Sequence, residues 1–200
     1  MSKLEQYEWV NIWYDEANDT TGTRVLLVGD SIMLGSRKYV QQYAGKDIHV
    51  DMIATSKALD NERYAKELMY MIASEDYKLI RINNGLHGFH LDIADYEREY
   101  DKIISGIMEQ YPDVKVKIGT TTPATVDKKP EEFSELNDIV LERNEAAKRI
   151  AEKYGLESDD LYAVTSVHPE LRVGDFAHFK EEGYELIGKH IAEDIIKSLE

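Results

Sequence analysis

Short runs of β-branched residues alternate with longer stretches of helical apolar spacing along most of the chain. Four such runs end at small or polar residues, at positions 24–28, 48–53, 78–82 and 114–118. This alternation is typical of βαβ units arranged around a parallel sheet. The pattern predicts an α/β fold whose polar strand ends meet at one edge of the sheet, where ligands bind in open parallel sheets.

Apolar residues recur every three or four positions, as on one face of a helix, in the stretches between and after these runs. The four clearest stretches are residues 65–72, 100–111, 139–154 and 184–199. We expect a short fifth strand at 161–164 and a loop over 123–132, which contains two prolines. Residues 1–23, with both tryptophans, are interpreted as an N-terminal extension that covers a sheet edge or forms an oligomer contact.

Length and composition limit the classes of protein that need to be considered. A chain of 200 residues fits one compact domain, predicted here over residues 1–200. Its 42% hydrophobic and 32% charged residues favour a packed core over disorder. The net charge of -15 makes nucleic acids and anionic membranes poor partners, because both attract clustered lysine and arginine.

The first residues and the absence of cysteine carry two further expectations. Residues 1–5 include an acidic residue where a signal peptide would begin its apolar stretch, and no apolar run is long enough to cross a bilayer, so we expect a cytoplasmic protein. The chain has no cysteine, which excludes a disulfide, a thiolate metal site and a thiol nucleophile. Any nucleophile must therefore be an oxygen or an amine.

Ser31 directly follows the first predicted strand and precedes a predicted helix. A hydroxyl at such a strand-to-helix turn lies close to the positive end of the helix dipole, which suits a nucleophile. Asp30 and Ser31 are also common helix-capping residues, and taken alone the pair would favour that interpretation.

Asp175 and His178 are separated by three positions in a segment near the C-terminus. A histidine activates a serine hydroxyl by taking its proton, and a carboxylate behind the imidazole holds it in one tautomer. The short spacing lets one tight turn supply both groups. A bare pair of this kind is otherwise usual in a solvated loop that precedes a helix.

Three short motifs, in this order along the chain, resemble the SGNH/GDSL hydrolase family. They are Gly-Asp-Ser-Ile at 29–32, Asp-x-x-His at 175–178 and Gly-Tyr at 183–184. The resemblance implies a three-layer flavodoxin-like fold, with a five-stranded parallel sheet and helices on both faces. It also implies a nucleophile, a base and an acid at Ser31, His178 and Asp175.

The family's oxyanion hole takes a backbone N–H from the nucleophile, a glycine N–H after the second strand and an asparagine amide after the third. Here Ser31 fits the first position, whereas Ser56 is the nearest residue to the missing glycine. Asn84 or His87 is expected to provide the third donor. Three further residues near these motifs are expected to contact substrate, namely Asp30, Asn83 and His168.

The block at 83–88 and Thr-Thr-Pro at 121–123 resemble a carbohydrate acetylesterase branch of the family. This resemblance implies a serine esterase that removes short acyl groups, such as acetyl groups on sugars or xylo-oligosaccharides, without a cofactor. A lysophospholipase or thioesterase is the alternative, and a non-catalytic flavodoxin-like binding module is a third possibility. The expected partner is a small-molecule or oligosaccharide ester, with homo-oligomerisation left open.

His87, His90 and Asp92 lie close together in sequence and raise the question of a metal site. Their spacing fits no strong zinc signature, so we expect no bound metal.

Overall fold

The computed structural model describes residues 4–200 and has a central sheet flanked by helices. The sheet strands are β1 (Val10–Trp13), β2 (Thr23–Gly29), β3 (Ile48–Thr55), β4 (Tyr77–Ile82), β5 (Lys115–Gly119) and β8 (Glu157–Asp159), and a separate hairpin comprises β6 (Thr125–Val126) and β7 (Lys129–Phe133). The helices are α1 (Ser31–Ala44), α2 (Glu62–Ile72), α3 (Ile93–Gln110), α4 (Leu136–Tyr154), α5 (Leu161–Ser166) and α6 (Glu181–Leu199), with a short 3₁₀ turn at Pro169–Leu171.

The strand order in the sheet is β1-β3-β2-β4-β5-β8. All neighbouring pairs are parallel except β1 with β3, so five parallel strands carry one antiparallel strand at the edge. The predicted α/β fold with a mostly parallel sheet is confirmed. The expected number of five strands applies only to the parallel part.

The N-terminal extension supplies the extra strand. Val10 pairs with Thr55 and Trp13 with Met52, which places β1 along the outer side of β3. All four residues of β1 are exposed, because no further strand lies beyond them in the described part of the chain. The extension therefore covers a sheet edge, as one of its two interpretations predicted.

Two local predictions are corrected. The run at 161–164 is not a strand, because Asp160 caps a helix there by accepting the Ala163 N–H at 3.1 Å. The fifth parallel strand instead lies just before it, with Asp159 paired to Gly119. The predicted loop at 123–132 contains most of the hairpin β6–β7.

Successive side chains of each strand point to opposite faces of the sheet, so the core is divided into two layers, one on each face. In β2, Leu26 and Val28 pack with α2, α3 and part of α4. Val25 and Leu27 point the other way and pack with α1 and α6. No helix in residues 4–200 is long and apolar enough to cross a membrane.

Candidate active site

The turn between β2 and α1 places Ser31 at the first position of a helix. Asp30 has an extended backbone and its side chain accepts the Ile32 N–H at 2.9 Å, so it caps the helix as its residue type favours. Gly29 leaves room for this sharp turn. A Cβ there would lie 2.7 Å from Asn83 Oδ1 and 2.8 Å from Met33 Cβ, both too close for real contacts.

Folding brings Ser31 together with the distant segment that contains Asp175 and His178. The Ser31 hydroxyl lies 2.9 Å from His178 Nε2. The other ring nitrogen, Nδ1, lies 2.8 Å from Asp175 Oδ2. The three side chains therefore form a continuous chain of hydrogen bonds from carboxylate to imidazole to hydroxyl, in the order that nucleophilic catalysis requires.

The second oxygen of the Asp175 carboxylate fixes the loop itself. Oδ1 accepts the backbone N–H of Ala177 at 3.0 Å and that of His178 at 2.7 Å. Burial alone would raise the pKa of Asp175, but these hydrogen bonds and the one from the His178 ring outweigh it and lower the pKa below its ordinary value. The carboxylate is therefore held in its charged form beside the imidazole.

The three side chains lie at the protein surface. The side chains of His178 and Asp175 are 45% and 43% exposed, and Ser31 is partly buried. A substrate can therefore approach the hydroxyl directly, and a large alcohol group can extend into solvent.

Thr125, which the sequence did not single out, fixes the Asp175–His178 segment by two hydrogen bonds. Its hydroxyl donates to the Asp175 carbonyl at 2.8 Å, and its backbone N–H donates to the Phe176 carbonyl at 2.8 Å. Thr125 is almost completely buried, so these bonds are shielded from water. A threonine within a predicted loop gives no signal of such a contact.

Two residues expected in the oxyanion hole have other partners. The Ser56 N–H donates to the Trp9 carbonyl at 3.3 Å, and its hydroxyl accepts the Trp9 N–H at 3.0 Å. This pairing with the N-terminal segment corrects the expectation for Ser56, since its N–H is not free for a substrate. Asn84 uses its amide to donate to the Lys57 carbonyl at 3.2 Å, which anchors the chain after β3.

Asn83 contacts the turn that precedes the nucleophile. It continues β4 beside β2, with its N–H donating to the Val28 carbonyl at 3.0 Å. Its side-chain oxygen contacts the position that a Cβ of Gly29 would occupy, and that oxygen is buried with no hydrogen-bond partner in the described chain. Asn83 is thus packed against the turn that carries Ser31.

Asp30 is buried at the end of β2. The residue is 3% exposed, and its Oδ2 has no hydrogen-bond partner among residues 4–200. Burial raises the pKa of Asp30, against the electrostatic influence of His87 and His178 and the hydrogen bond from Ile32. Asp30 caps α1 and so supports the turn that carries Ser31.

The remaining histidines pair with separate carboxylates. His87 Nδ1 lies 3.1 Å from Glu5 Oε1, and His90 Nε2 lies 3.1 Å from Asp60 Oδ2. Within residues 4–200 no group of three or more His, Asp or Glu side chains is arranged to hold a metal ion. His168 is exposed, with its Nδ1 2.9 Å from a Glu170 carboxylate oxygen, and no hydrogen bond joins it to the triad.

Arg143 is a second residue that sequence reasoning missed. It lies on α4 and donates to the carbonyls of Gly85, His87 and Gly88 in the loop between β4 and α3. The signal was present, because Arg143 occupies the apolar stripe of α4, three positions after Val140. A charged residue on such a stripe requires buried polar partners.

The sheet order and the helices on both of its faces define a three-layer α/β fold, with Ser31 at the turn between β2 and α1. No protein-family model matches the chain, and no curated protein matches its sequence. Solved structures do match it across most of its length, and they include proteins named as GDSL-type lipolytic proteins and esterases. The predicted resemblance to the SGNH/GDSL hydrolases is therefore confirmed at the level of the fold.

Three of these structures illustrate the likeness. A carbohydrate acetylesterase from Sinorhizobium meliloti is 17% identical, with a TM-score of 0.72, over 89% of this chain and 100% of that one. An acetyl xylan esterase is 17% identical, with a TM-score of 0.71, over 86% and 100% of the two chains. A lipase/acylhydrolase from Enterococcus faecalis is 20% identical, with a TM-score of 0.67, over 88% and 96%.

Proposed function

We propose that this protein is a serine esterase that removes short acyl groups, chiefly acetyl groups, from sugars or oligosaccharides such as xylo-oligosaccharides. The proposal rests on one observation, the hydrogen-bonded chain from Asp175 through His178 to Ser31, with distances of 2.8 and 2.9 Å. A partly exposed hydroxyl with an imidazole and a carboxylate aligned behind it is the arrangement that nucleophilic catalysis requires.

The proposed reaction proceeds through an acyl-enzyme. His178 Nε2 takes the Ser31 proton while Oγ attacks the ester carbonyl, and the protonated imidazole then donates that proton to the departing alcohol. A water molecule repeats both steps on the acyl-enzyme and releases the acid. Asp175 stabilises the imidazolium that forms in each half-reaction.

Negative charge on the reacting carbonyl oxygen requires donors close to Ser31. The Ser31 N–H, at the first position of α1, is the first of these donors, and the positive end of the helix dipole supports it. The Asn83 amide is the second, supported by its packing against the Gly29 turn. The 85–88 loop, which includes His87, is the third.

The preference for acetylated sugars is supported by the exposure of the triad and by two solved structures of similar fold. An open site accommodates a bulky polar alcohol such as an oligosaccharide, and two of the similar structures are a carbohydrate acetylesterase and an acetyl xylan esterase. The net charge of -15 favours neutral over anionic substrates.

A lysophospholipase or thioesterase is the second candidate. Leu34, one helical turn after Ser31, is 39% exposed, and Val173, just before the Asp175–His178 segment, is 55% exposed. Exposed apolar side chains near the triad favour a longer acyl chain. A lipase/acylhydrolase is among the proteins of the same fold.

The cellular setting belongs to the same proposal. We place the enzyme in the cytoplasm, with a small-molecule or oligosaccharide ester as its partner and without nucleic acid or membrane partners. Fractionation of cells that produce the protein from its own gene tests the location directly.

The nucleophile is tested by a panel of acetylated sugars, aryl esters of increasing chain length and lysolipids. Ser31→Ala should lower kcat by at least about 10³-fold on every substrate that the wild type cleaves, because the remaining groups cannot form an acyl-enzyme. Ser105→Ala, which changes a partly exposed serine on α3, is the matched control and should retain full activity.

Three outcomes contradict the proposal. Undiminished activity of Ser31→Ala excludes this nucleophile. Preferential cleavage of lysolipids or long-chain thioesters supports the second candidate instead. A purified protein that is yellow with bound flavin and cleaves no ester points to a binding module of this fold.

A further inference from the structure

Arg143 is a buried cation without a carboxylate partner among residues 4–200. It is 1% exposed, and no salt bridge joins it to an acidic side chain in the described chain. Burial lowers the pKa of its guanidinium. A buried charge is costly unless polar groups replace the lost water, so the neighbours of Arg143 explain why the fold retains it.

Those neighbours belong almost entirely to one loop. Nη1 donates to the carbonyls of Gly85 and His87 at 3.0 and 2.7 Å, and Nη2 donates to that of Gly88 at 2.7 Å. The guanidinium carbon also lies 4.7 Å from the ring centre of Phe89, which continues the loop. A single side chain thus fixes the direction of three peptide groups within four residues.

Because a trans peptide is planar, each carbonyl that Arg143 holds also fixes the direction of the next N–H group. When a carbonyl points toward Arg143, the N–H of the following residue points away from it. The donors oriented in this way are the N–H groups of Leu86, Gly88 and Phe89. Within residues 4–200, no acceptor is hydrogen-bonded to any of these three N–H groups.

Residues 83–89, which include the 85–88 loop, contact both segments that carry the triad. This stretch begins at Asn83, which packs against the turn before Ser31. It ends at Phe89, whose ring stacks edge to face on Phe176 with a centroid distance of 5.8 Å. Phe176 lies between Asp175 and His178, so the loop connects the nucleophile turn to the acid–base segment.

We propose that Arg143 is a positioning residue that shapes the 85–88 loop so that its outward N–H groups stabilise negative charge on the reacting carbonyl oxygen. This inference rests on the proposed esterase function. The charge appears in the transition state, so loss of the loop shape lowers kcat more than it raises KM.

The test compares Arg143→Met and Arg143→Lys with the wild type on the best ester of the panel. Arg143→Met should lower kcat by about 10–100-fold with KM within about threefold, since one oxyanion donor typically contributes 10²–10³-fold. Arg143→Lys should recover part of this loss, because a lysine keeps the charge but carries all of its donors on one nitrogen instead of the two that Arg143 uses. The pH dependence of kcat should not change, as the His178–Asp175 pair is untouched.

Ile107→Ala is the matched control for general destabilisation. Ile107 is fully buried on α3 in the same core layer as Tyr96, whose ring centre lies 4.7 Å from the Arg143 guanidinium carbon, and no hydrogen bond joins its side chain to the loop or the triad segment. When Ile107→Ala lowers the melting temperature as much as Arg143→Met does, its kcat should stay within about twofold of the wild-type value. Equal loss of kcat in Ile107→Ala, or unchanged kcat in a folded Arg143→Met, would overturn the proposal. If Arg143→Met does not fold, Arg143→Lys is judged by the same criteria.

Amide hydrogen exchange separates failure of this inference from failure of the esterase proposal. Exchange at Leu86, Gly88 and Phe89 should change in Arg143→Lys whether or not the protein cleaves an ester. Unchanged exchange there rejects the role of Arg143. Changed exchange in a protein without any Ser31-dependent activity supports the loop-shaping role and rejects the esterase.

Discussion

Single side chains in the candidate site each perform two tasks. One oxygen of Asp175 bonds the imidazole, while the other bonds two backbone N–H groups of its own loop. Asp30 caps α1 and so fixes the direction in which Ser31 projects. The geometry of the hydroxyl therefore depends on residues that do not touch a substrate.

Asp175→Asn should separate the two tasks of Asp175. The asparagine oxygen can still accept the loop N–H groups, but its amide would donate to His178 Nδ1 and leave the ring in the wrong tautomer. We expect kcat to fall by about 10³–10⁴-fold with a small change in KM and in melting temperature. Steady-state kinetics on an acetyl ester and thermal unfolding of the same preparation check this.

The pH profile of the wild type adds an independent constraint on Asp175. Because its folded pKa is lowered, the carboxylate stays charged below the ordinary aspartate value of about 3.9. Asp175 should therefore contribute no ionisation to the fall of kcat/KM in acid within the range typical of a free aspartate. An ionisation in that range that Asp175→Asn removes would contradict the assigned role.

At the scale of elements, the site is assembled from connections that flank the sheet rather than from the strands themselves. The β2–α1 turn, the 85–88 loop and the segment before α6 converge at the carboxyl ends of the parallel strands, as open parallel sheets favour. Thr125, at the start of the hairpin β6–β7, joins the last of these segments to that hairpin through two hydrogen bonds.

Thr125→Val should loosen this tie without changing the size of the side chain. Loss of the 2.8 Å bond to the Asp175 carbonyl should lower stability by about 1 kcal/mol and kcat by about 3–30-fold, because the acid–base segment becomes less fixed. Thr125→Ser should retain most of both. Urea unfolding and kinetics on the same samples provide the comparison.

Thr165→Val is the control for this change. The Thr165 hydroxyl is buried and bonds the Leu161 carbonyl within α5, away from Asp175. Its loss should cost similar stability and leave kcat unchanged. A kcat for Thr125→Val equal to that of wild type would show that the hairpin contact has no catalytic consequence.

At the scale of the whole molecule, one buried ionic cluster joins the sheet to α6. Arg81 Nε lies 3.0 Å from Asp159 Oδ2, and His190 Nε2 lies 2.5 Å from Asp159 Oδ1. Burial alone would raise the pKa of Asp159, but Arg81 and His190 hold it well below its usual range. The hydrogen bond to Asp159 raises the pKa of His190, against the effect of burial.

The raised pKa of His190 predicts how stability changes with pH. Its contribution is complete below the unfolded value of about 6.5 and is lost as pH rises through the folded value. The Asp159 contribution is lost only in acid, as pH falls through its lowered pKa, so it is constant from pH 6 to 9. His190→Gln should therefore reduce the difference in unfolding free energy between pH 6 and 9 by about 1 kcal/mol.

Urea unfolding at both pH values measures this difference. His168→Gln, which changes an exposed histidine paired with exposed Glu170, should leave the pH dependence of stability close to that of wild type. If His190→Gln shows the same pH dependence as the wild type, the His190–Asp159 bond does not contribute to stability in this range.

The sequence predicted the features that depend on local pattern. Alternating β-branched runs and apolar helix faces gave the α/β fold and the four long strands, because burial imposes these periods on any such chain. It failed at 161–164, where an apolar run of four residues fits a strand or a helix equally well. Only the cap by Asp160 and the pairing of β8 with β5 decide between them.

By itself the sequence determined which residue types were present for chemistry and on which element each would lie. Ser31 at a strand-to-helix turn and the short Asp175–His178 spacing follow from neighbours in the chain. Only the tertiary structure decided what meets across the chain. The hydrogen bond from Ser31 to His178, the diversion of the Ser56 N–H to Trp9 and the clamp of Arg143 on the 85–88 loop all join distant segments. Such contacts depend on packing and loop closure, which leave no period in the sequence.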